Sequence, residues 1–246
     1  DMVDEDWLSL VTDDIRAFLE KSFLKGAPII PISSVTGAGI PTLVSVLEST
    51  IDKIEEVTDA GLFRLPIDRV FTMKGFGTVV TGTLVSGRIG VGEEIEIQPA
   101  ALRTKVRGLQ VHNRPVETAE SGQRTAVNLQ GIDKAMIDRG NVLVAPGTFE
   151  PTRRMDVLFE YLAVNAKNLK NRTLVRFHTA TSEIIARLIL LEKEFIEPGE
   201  RAYVQLFLES PTVVMADDRF VIRSYSPVTT IGGGIVVDPL PGKHKR

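Results

Sequence analysis

The sequence predicts a mainly β protein, with two consecutive small β-barrels preceded by a short α/β segment. Helical periodicity is confined to the first 60 residues, whereas short alternating apolar runs follow, separated by Gly, Pro, Asn and Asp at intervals of roughly ten residues. A Pro- and Gly-containing stretch at 145–151 divides these runs into two sets, each of small-domain size. We therefore predict three parts: residues 1–60, 61–147 and 148–246.

The first part has the pattern of a helix, a strand, a loop and a second helix. Apolar residues from Trp7 to Phe23 recur at helical spacing, which predicts a helix with one buried face that ends at Gly26. A short apolar run at residues 29–32, bounded by prolines, predicts a buried strand. Pro41 marks the start of the second helix. Because this piece is too small for a core of its own, we interpret it as the last third of a doubly wound domain.

The second and third parts are each predicted to form one barrel, because their apolar and polar residues alternate between turn signals. The predicted strands of the first barrel include residues 63–67, 95–97, 106–111, 125–129 and 142–144. Those of the second barrel include residues 157–161, 174–177, 184–191, 203–208, 220–224 and 235–237.

The strongest local signal is a predicted β-hairpin whose two alternating strands flank the turn Gly75-Phe76-Gly77. A glycine loop for a dinucleotide fits this stretch less well. The third glycine, Gly82, comes two positions too late for that motif, and no helical pattern follows it.

Composition excludes several kinds of site. The chain has no cysteine, which excludes disulfides and thiolate metal sites, and its three histidines are far apart in sequence, so we predict no metal site. No apolar run has the length of a membrane span and the acidic start is unlike a signal peptide, which predicts a cytoplasmic protein without a membrane partner. Residues 1–60 carry 12 acidic and four basic side chains, and the remainder carries 20 acidic and 25 basic ones. The net positive charge of residues 61–246 indicates either a solvated surface or a polyanion partner.

Several motifs together resemble a known family. The hairpin sequences Asp68–Phe71 and Lys74–Thr83, with the later segments 121–124 and 137–143, resemble the second domain of the elongation factor Tu superfamily, and are closest to its selenocysteine-specific branch. The closing segment 224–239 is similar to the third domain of that branch. The resemblance covers nearly the whole chain and implies that the first part is the C-terminal remnant of a GTPase domain.

The resemblance implies a translation elongation factor that, when full length, delivers selenocysteinyl-tRNA to the ribosome in a GTP-dependent way. GTP or GDP with Mg²⁺ would bind to the full-length protein, and the messenger-RNA hairpin would bind only through C-terminal domains absent here. The phosphate-binding motif G-x-x-x-x-G-K-S/T does not occur in this sequence. We therefore expect no cofactor, no catalytic residue and no GTP hydrolysis for this chain.

The resemblance also implies a pocket for the aminoacyl group at Asp68, Arg69 and Arg124. A selenol is more acidic than a thiol, so the selenocysteinyl side chain is an anion near neutral pH, and anions are favoured beside arginine. Asp68 would accept from the esterified amino group, while Arg69 and Arg124 would face the side chain. The alternative is that these are surface charges, since adjacent strand residues such as Asp68 and Arg69 point to opposite faces of an ideal pleat.

Two further sets of residues are candidates on the same grounds. Asp1 matches the aspartate that reads guanine in the family, and Ser33 and Ser34 stand in the family's guanine-contacting loop, where Val35 replaces a lysine. The basic residues of the third part are candidate tRNA contacts through phosphates, although a solvated face remains the alternative for each. The candidates are Arg153, Arg154, Lys170 and Arg172.

Two other functions remain open at this point. One is a carrier of another aminoacyl-tRNA or of initiator tRNA in the same superfamily, in which a neutral or acidic pocket would be expected in place of Arg69 and Arg124. The other is a non-catalytic β-barrel interaction module without a nucleic-acid partner. The positive balance after residue 60 argues mildly against the interaction module.

Overall fold

The computed structural model describes residues 2–20, 22–53 and 61–244. The chain divides into two compact units between Thr58 and Asp59. The described part of the first unit contains the helices α1, Glu5–Leu19, and α2, Ile40–Ile51. No helix in the described ranges is both long and apolar enough to cross a membrane.

Helix α1 is shorter and more exposed than the sequence predicts. It ends at Leu19 rather than near Gly26, because the chain turns there and the Ser22 amide donates to the Leu19 carbonyl at 2.9 Å. None of its residues is buried, and Trp7 and Phe18 are 56% and 85% exposed. The predicted apolar face is present, but nothing in the described part of this unit covers it.

The loop between the helices differs from the prediction as well. The apolar run at 29–32 belongs to no strand, and we attribute this to the lack of a neighbouring strand in the described part of the unit, since a strand needs a partner for its backbone hydrogen bonds. Pro41 lies in the first turn of α2, as predicted. Gly39 precedes that turn with a φ of 74°, and a Cβ there would lie 2.0 Å from the carbonyl oxygen of Pro31, so only glycine fits.

The first barrel confirms the predicted hairpin and β architecture. Its ring runs β4-β9-β1-β2-β8-β5 and closes by pairing of β5 with β4, while β6 extends β5 and β3 pairs with β7. A 3₁₀ turn, Lys134–Met136, precedes β9. The strands are β1 Arg64–Met73, β2 Gly77–Thr83, β3 Arg88–Gly90, β4 Glu94–Gln98, β5 Leu102–Val111, β6 Arg114–Val116, β7 Thr118–Glu120, β8 Arg124–Leu129 and β9 Val142–Val144.

The second barrel is a closed ring of six antiparallel strands in the order β10-β15-β13-β12-β16-β17, with β17 paired back to β10. The short strands β11 and β14 pair with each other outside the ring. The strands are β10 Thr152–Tyr161, β11 Leu169–Lys170, β12 Leu174–Thr179, β13 Ser182–Leu190, β14 Phe195–Ile196, β15 Arg201–Thr212, β16 Arg219–Ser224 and β17 Thr230–Asp238.

Each barrel encloses its own apolar core, formed by the inward-facing residues of the alternating strands. Leu65 and Ile67 are fully buried in the first barrel, and Phe159 and Phe177 in the second. The sequence alternation therefore identified the core positions of both barrels.

The two barrels contact each other through a polar clamp and a small apolar cluster. Arg64, at the start of β1, donates to both carboxylate oxygens of Asp218 at 2.5 and 2.7 Å. The Ser182 hydroxyl of the second barrel donates to the Gly140 carbonyl of the first at 2.9 Å. The apolar cluster contains Val142, Val144 and Val213, with Phe149 packed against it.

Candidate functional site

Asp68 and Arg69 lie at a β-bulge. Between Ile67 and Arg69 the register advances two residues along β1 but one residue along β2, so Asp68 is an extra residue without a partner. Ile67 and Val70 both pack in the barrel core. The bulge shifts the alternation by one residue, so the opposite-face geometry of an ideal pleat does not apply. The side chains of Asp68 and Arg69 both lie outside the core.

A glycine opposite the bulge permits this geometry. Gly82 on β2 pairs with Ile67. A Cβ at Gly82 would lie 2.1 Å from the carbonyl oxygen of Pro66 and 2.6 Å from a methyl carbon of Leu65. Any other residue would push β2 away from β1, so Gly82 allows the close approach that brings its neighbour Thr81 to Asp68.

Asp68, Thr81 and Arg124 form one hydrogen-bonded cluster across β1, β2 and β8. Arg124 Nη1 donates to Asp68 Oδ2 at 2.5 Å, and Arg124 Nη2 donates to Asp68 Oδ1 at 3.2 Å. The Thr81 hydroxyl donates to Asp68 Oδ1 at 2.7 Å. A bidentate guanidinium–carboxylate pair is among the strong hydrogen-bonded arrangements. The side chains of Arg124 and Asp68 are 51% and 23% exposed, so the cluster is open to a ligand.

The cluster keeps Asp68 ionised. Burial alone would raise the pKa of Asp68, but the hydrogen bonds from Arg124 and Thr81, together with the charges of Arg124 and Arg69, outweigh burial and lower that pKa below its usual value. The hydrogen bond to Asp68 likewise raises the pKa of Arg124. At neutral pH, Asp68, Arg69 and Arg124 together therefore carry one net positive charge.

The chemistry of this arrangement suits a ligand with a cationic or hydrogen-bond-donating group beside an anionic one. Asp68 provides acceptor oxygens for the donor. Arg69 is exposed and, within the described ranges, makes no ion pair, so its guanidinium is available to an anion. No group of three or more His, Cys, Asp or Glu side chains in the described residues is arranged to hold a metal ion.

The candidate guanine loop is ordered by its own hydrogen bonds. Ser33 is buried, its hydroxyl oxygen accepts from the Thr36 amide at 3.1 Å, and its amide donates to the Ala38 carbonyl at 3.0 Å. Ser34 is exposed beside it. Asp1 lies outside the described residues, so its relation to this loop stays a prediction.

Two of the predicted tRNA contacts are engaged in structural interactions of the second barrel. Arg153 donates to the Glu209 carbonyl. Arg154 Nε donates to the Pro241 carbonyl at 3.0 Å, and its guanidinium carbon lies 5.9 Å from the centroid of the Phe207 ring. Both side chains therefore hold the barrel surface together, whether or not they contact a ligand.

The other two candidates are placed differently. Lys170 is exposed on β11. Arg172 lies in a turn with a φ of 64°, and its carbonyl accepts from Arg187 Nη1 at 3.2 Å. Arg172 and Arg187 border a groove of ≈ 1000 Å³ on the outer face of the barrel, which Phe207 and Lys243 also line.

The sequence interpretation missed a pair of opposed arginines. Arg176 on β12 lies directly opposite Arg223 on β16. Arg176 pairs with Glu183, and its guanidinium carbon lies 5.5 Å from the centroid of the Tyr225 ring. Like charges opposite each other destabilise a sheet, so this pair indicates a surface suited to an anion. The sequence did contain a signal for this placement. Arg223 lies two residues after the exposed Val221 on β16, so both residues face outward from the barrel.

Two family matches fall on the two barrels. The family described as "Elongation factor Tu domain 2" matches residues 77–144, and "Selenocysteine-specific elongation factor, beta-barrel domain" matches residues 156–243. Together with the two closed six-stranded rings, these matches define the class of protein: the chain carries the two β-barrel domains of a translation elongation factor.

Sequence relatives identify the branch. The chain is 47% identical over 246 residues to the selenocysteine-specific elongation factor of Desulfomicrobium baculatum, covering 100% of this chain and 39% of the relative. It is 32% identical over 249 residues to that of Escherichia coli, covering 100% of this chain and 38% of the relative. The chain is therefore similar over its whole length to selenocysteine-specific elongation factors, and it spans less than half the length of these curated relatives.

Solved structures agree with this assignment. The apo translation elongation factor SelB from Methanococcus maripaludis matches 98% of this chain and 56% of its own length, with a TM-score of 0.84 and 25% identity. A bacterial selenocysteine-specific elongation factor matches 97% of this chain and 38% of its own length, with a TM-score of 0.83 and 25% identity.

Proposed function

We propose that this chain is the part of a selenocysteine-specific elongation factor that holds the aminoacyl end and stem of the tRNA. The longer factor delivers selenocysteinyl-tRNA to the ribosome in the cytoplasm and uses GTP as its switch. The observation that carries the proposal is the cluster of Asp68 and Arg124 with Arg69 beside it, exposed on the first barrel of a chain related to such factors.

In the proposed pocket, the ligand's own chemistry determines selectivity. Asp68 accepts from the esterified amino group, which every aminoacyl-tRNA carries. The net positive charge of Asp68, Arg69 and Arg124 together favours the selenolate of selenocysteine over the neutral hydroxyl of serine on the same tRNA. A charge-assisted hydrogen bond contributes roughly 1.5–3 kcal/mol, which corresponds to about one to two decades in affinity.

The first unit has its place in the same proposal. Residues 1–60 complete a GTP-binding domain, in which Asp1 and the loop at Ser33 and Ser34 contact guanine, and the longer factor binds GTP or GDP with Mg²⁺. The exposed apolar face of α1 supports this, since a partner layer is needed to bury it. Residues 61–147 and 148–246 are then the second and third domains.

The second barrel is proposed to hold the tRNA through phosphate contacts. Lys170 and Arg172 remain candidates, together with the opposed pair Arg176 and Arg223. Phosphate contacts carry no sequence information but orient the RNA. Arg153 and Arg154 are weaker candidates, because their guanidinium groups already donate to carbonyl groups of the barrel.

A salt titration tests the tRNA proposal on this chain. We expect weak tRNA binding, with each neutralised phosphate contributing about −0.7 to −0.9 to the slope of log affinity against log salt. The variant Lys170→Gln with Arg172→Gln should reduce the slope, whereas Arg88→Gln with Arg114→Gln on the first barrel, which also removes two exposed positive charges, serves as the charge-matched control. An affinity that does not change with salt would contradict an RNA-binding barrel and favour a protein-interaction module.

The selectivity of the factor between two aminoacyl-tRNAs distinguishes this proposal from the alternative, a carrier of another aminoacyl-tRNA. In the full-length factor with a GTP analogue, we expect selenocysteinyl-tRNA to bind more tightly than seryl-tRNA of identical RNA sequence. Replacing Asp68, Arg69 and Arg124 together by Ala should abolish the difference. Equal affinities in the unmodified factor would rule out this branch of the superfamily as a functional assignment.

A further inference from the structure

The three charged residues of the pocket are not equivalent in the structure. Arg124 donates hydrogen bonds to Asp68 from both of its terminal nitrogens, whereas Arg69 makes no ion pair within the described ranges. We propose that Asp68, Thr81 and Arg124 form a pre-assembled unit that binds the amino group of the aminoacyl ester, and that Arg69 alone reads the charge of the side chain. This inference rests on the pocket proposed above, moves Arg124 from the side chain of the ligand to its amino group, and adds Thr81 as a positioning residue.

The contacts of Arg124 explain why it is not assigned to the side chain of the ligand. Two of the five N–H donors of its guanidinium form hydrogen bonds of 2.5 and 3.2 Å to Asp68, and this carboxylate balances its positive charge. The Asp68 carboxylate is only 23% exposed, so water would compensate it incompletely if Arg124 turned away from it. A selenolate beside Arg124 would therefore meet a charge that Asp68 already neutralises, whereas the exposed Arg69 forms no ion pair within the described residues.

Thr81 determines which part of Asp68 remains available. A carboxylate offers about four acceptor positions. Three are used here: Oδ1 accepts from the Thr81 hydroxyl and Arg124 Nη2, and Oδ2 accepts from Arg124 Nη1. The remaining position on Oδ2 is free for the amino group. Since Thr81 pairs with Arg69 across β1 and β2, the hydroxyl orients the carboxylate directly beside the cation that reads the side chain.

The charges then match the ligand one for one. Asp68 and Arg124 neutralise each other, so the surplus positive charge of the pocket belongs to Arg69. A selenolate carries a single negative charge and a serine hydroxyl carries none. Arg69 therefore determines selectivity, and the Asp68–Thr81–Arg124 unit determines the affinity common to both ligands.

Affinities of the full-length factor for selenocysteinyl- and seryl-tRNA test this division. Arg69→Gln should weaken selenocysteinyl-tRNA binding roughly ten- to a hundredfold and seryl-tRNA binding less than about twofold. Thr81→Val should weaken both by the same factor, roughly two- to tenfold, and Thr81→Ser should restore both because it keeps the hydroxyl. Arg124→Gln should also weaken both equally.

A second measurement, made on the present chain without tRNA, tests whether Thr81 positions the Asp68 carboxylate. The Asp68 carboxyl is followed by NMR during a pH titration with carboxyl-labelled aspartate. Thr81→Val should raise the Asp68 pKa towards its usual value, and Thr81→Ser should not. Thr118→Val, an exposed strand threonine of the same barrel, is the matched control and should leave that pKa unchanged.

The outcomes separate this inference from the proposed function. If Asp68→Ala changes neither affinity, the pocket itself is refuted. If Asp68→Ala weakens both ligands but Arg124→Gln selectively weakens selenocysteinyl-tRNA, the pocket stands and the assignment of the side-chain reader to Arg69 alone is overturned. If Thr81→Val leaves both affinities and the Asp68 pKa unchanged, Thr81 is not a positioning residue.

Discussion

Strand β1 takes part in two arginine–carboxylate pairs of nearly the same geometry but different surroundings. Arg64 and Asp218 join the two barrels at 2.5 and 2.7 Å, and their side chains are 14% and 18% exposed. Asp68 and Arg124 pair within the first barrel at 2.5 and 3.2 Å, with 23% and 51% exposure.

The difference in burial separates a structural pair from a pair that a ligand can reach. A mostly buried charge that loses its partner leaves an uncompensated charge in a poorly solvated place, so the Arg64–Asp218 pair is expensive to break. The exposed Arg124 can be solvated by water instead, so the Asp68–Arg124 pair, which we call the rim pair, contributes little to stability. The rim pair can therefore serve binding without being required for folding.

Removing the buried partner should give the largest effect. Arg64→Ala should lower the free energy of unfolding by about 3 kcal/mol, because Asp218 stays mostly buried between the barrels and, among the described residues, keeps only the Met215 amide as donor. Urea unfolding measures this. The double replacement Arg64→Met with Asp218→Leu should recover most of the loss, since it leaves no unpaired charge.

The same substitution at the rim should have a small effect. Arg124→Ala should lower the free energy of unfolding by about 0–1 kcal/mol, because Arg124 is half exposed and solvent replaces part of its interaction. Urea unfolding in parallel with Arg64→Ala makes the comparison direct. Equal losses for Arg64→Ala and Arg124→Ala would break the distinction between a structural and a ligand-accessible pair.

The rim pair should show itself more clearly in the pH dependence of stability. The folded-state pKa of Asp68 lies below its unfolded value of about 3.9, so its contribution is present above that pH and is lost as the pH falls through the folded pKa. Asp68→Asn should therefore reduce the acid sensitivity of the unfolding free energy below about pH 4. An unchanged acid limb in that variant would show that the pair is not formed in solution.

A smaller effect is expected at His178, on the face of the opposed arginines. Burial lowers the pKa of His178. The charge of Glu183 opposes this shift only in part, and the charges of Arg223 and Arg176 add to it. The unfolded histidine takes up its proton first, so stability is lost as the pH falls below about 6.5. His178→Gln should flatten this loss below about pH 6.5, and His112→Asn, at a turn residue of the first barrel, is the control.

Much of the fold could be predicted from the sequence because alternation and turn residues are local signals. The strands at Val106–Val111 and Thr125–Leu129 and the hairpin turn at residues 75–77 follow from them directly. The buried face expected for α1 was wrong because burial depends on a partner layer, and none covers that helix in the described residues.

The site was harder to predict for a physical reason. Family resemblance indicated Asp68, Arg69 and Arg124, but the pleat argued against a common face for the first two. A bulge, which is a property of the register between two strands, overturns that argument. Thr81 was missed because a strand threonine has no local signal for a partner 13 residues away.

The central claim, that the pocket reads charge rather than size, is tested most directly by comparing selenocysteinyl- and cysteinyl-tRNA of identical RNA sequence. The full-length factor with a GTP analogue is titrated with each between pH 6 and 9 at constant salt. A cysteine thiol ionises near a pKa of about 8.5, so cysteinyl-tRNA should approach the affinity of selenocysteinyl-tRNA as the pH rises through that value. Arg69→Gln should remove this convergence. A ratio of the two affinities that stays constant across the range would contradict the account.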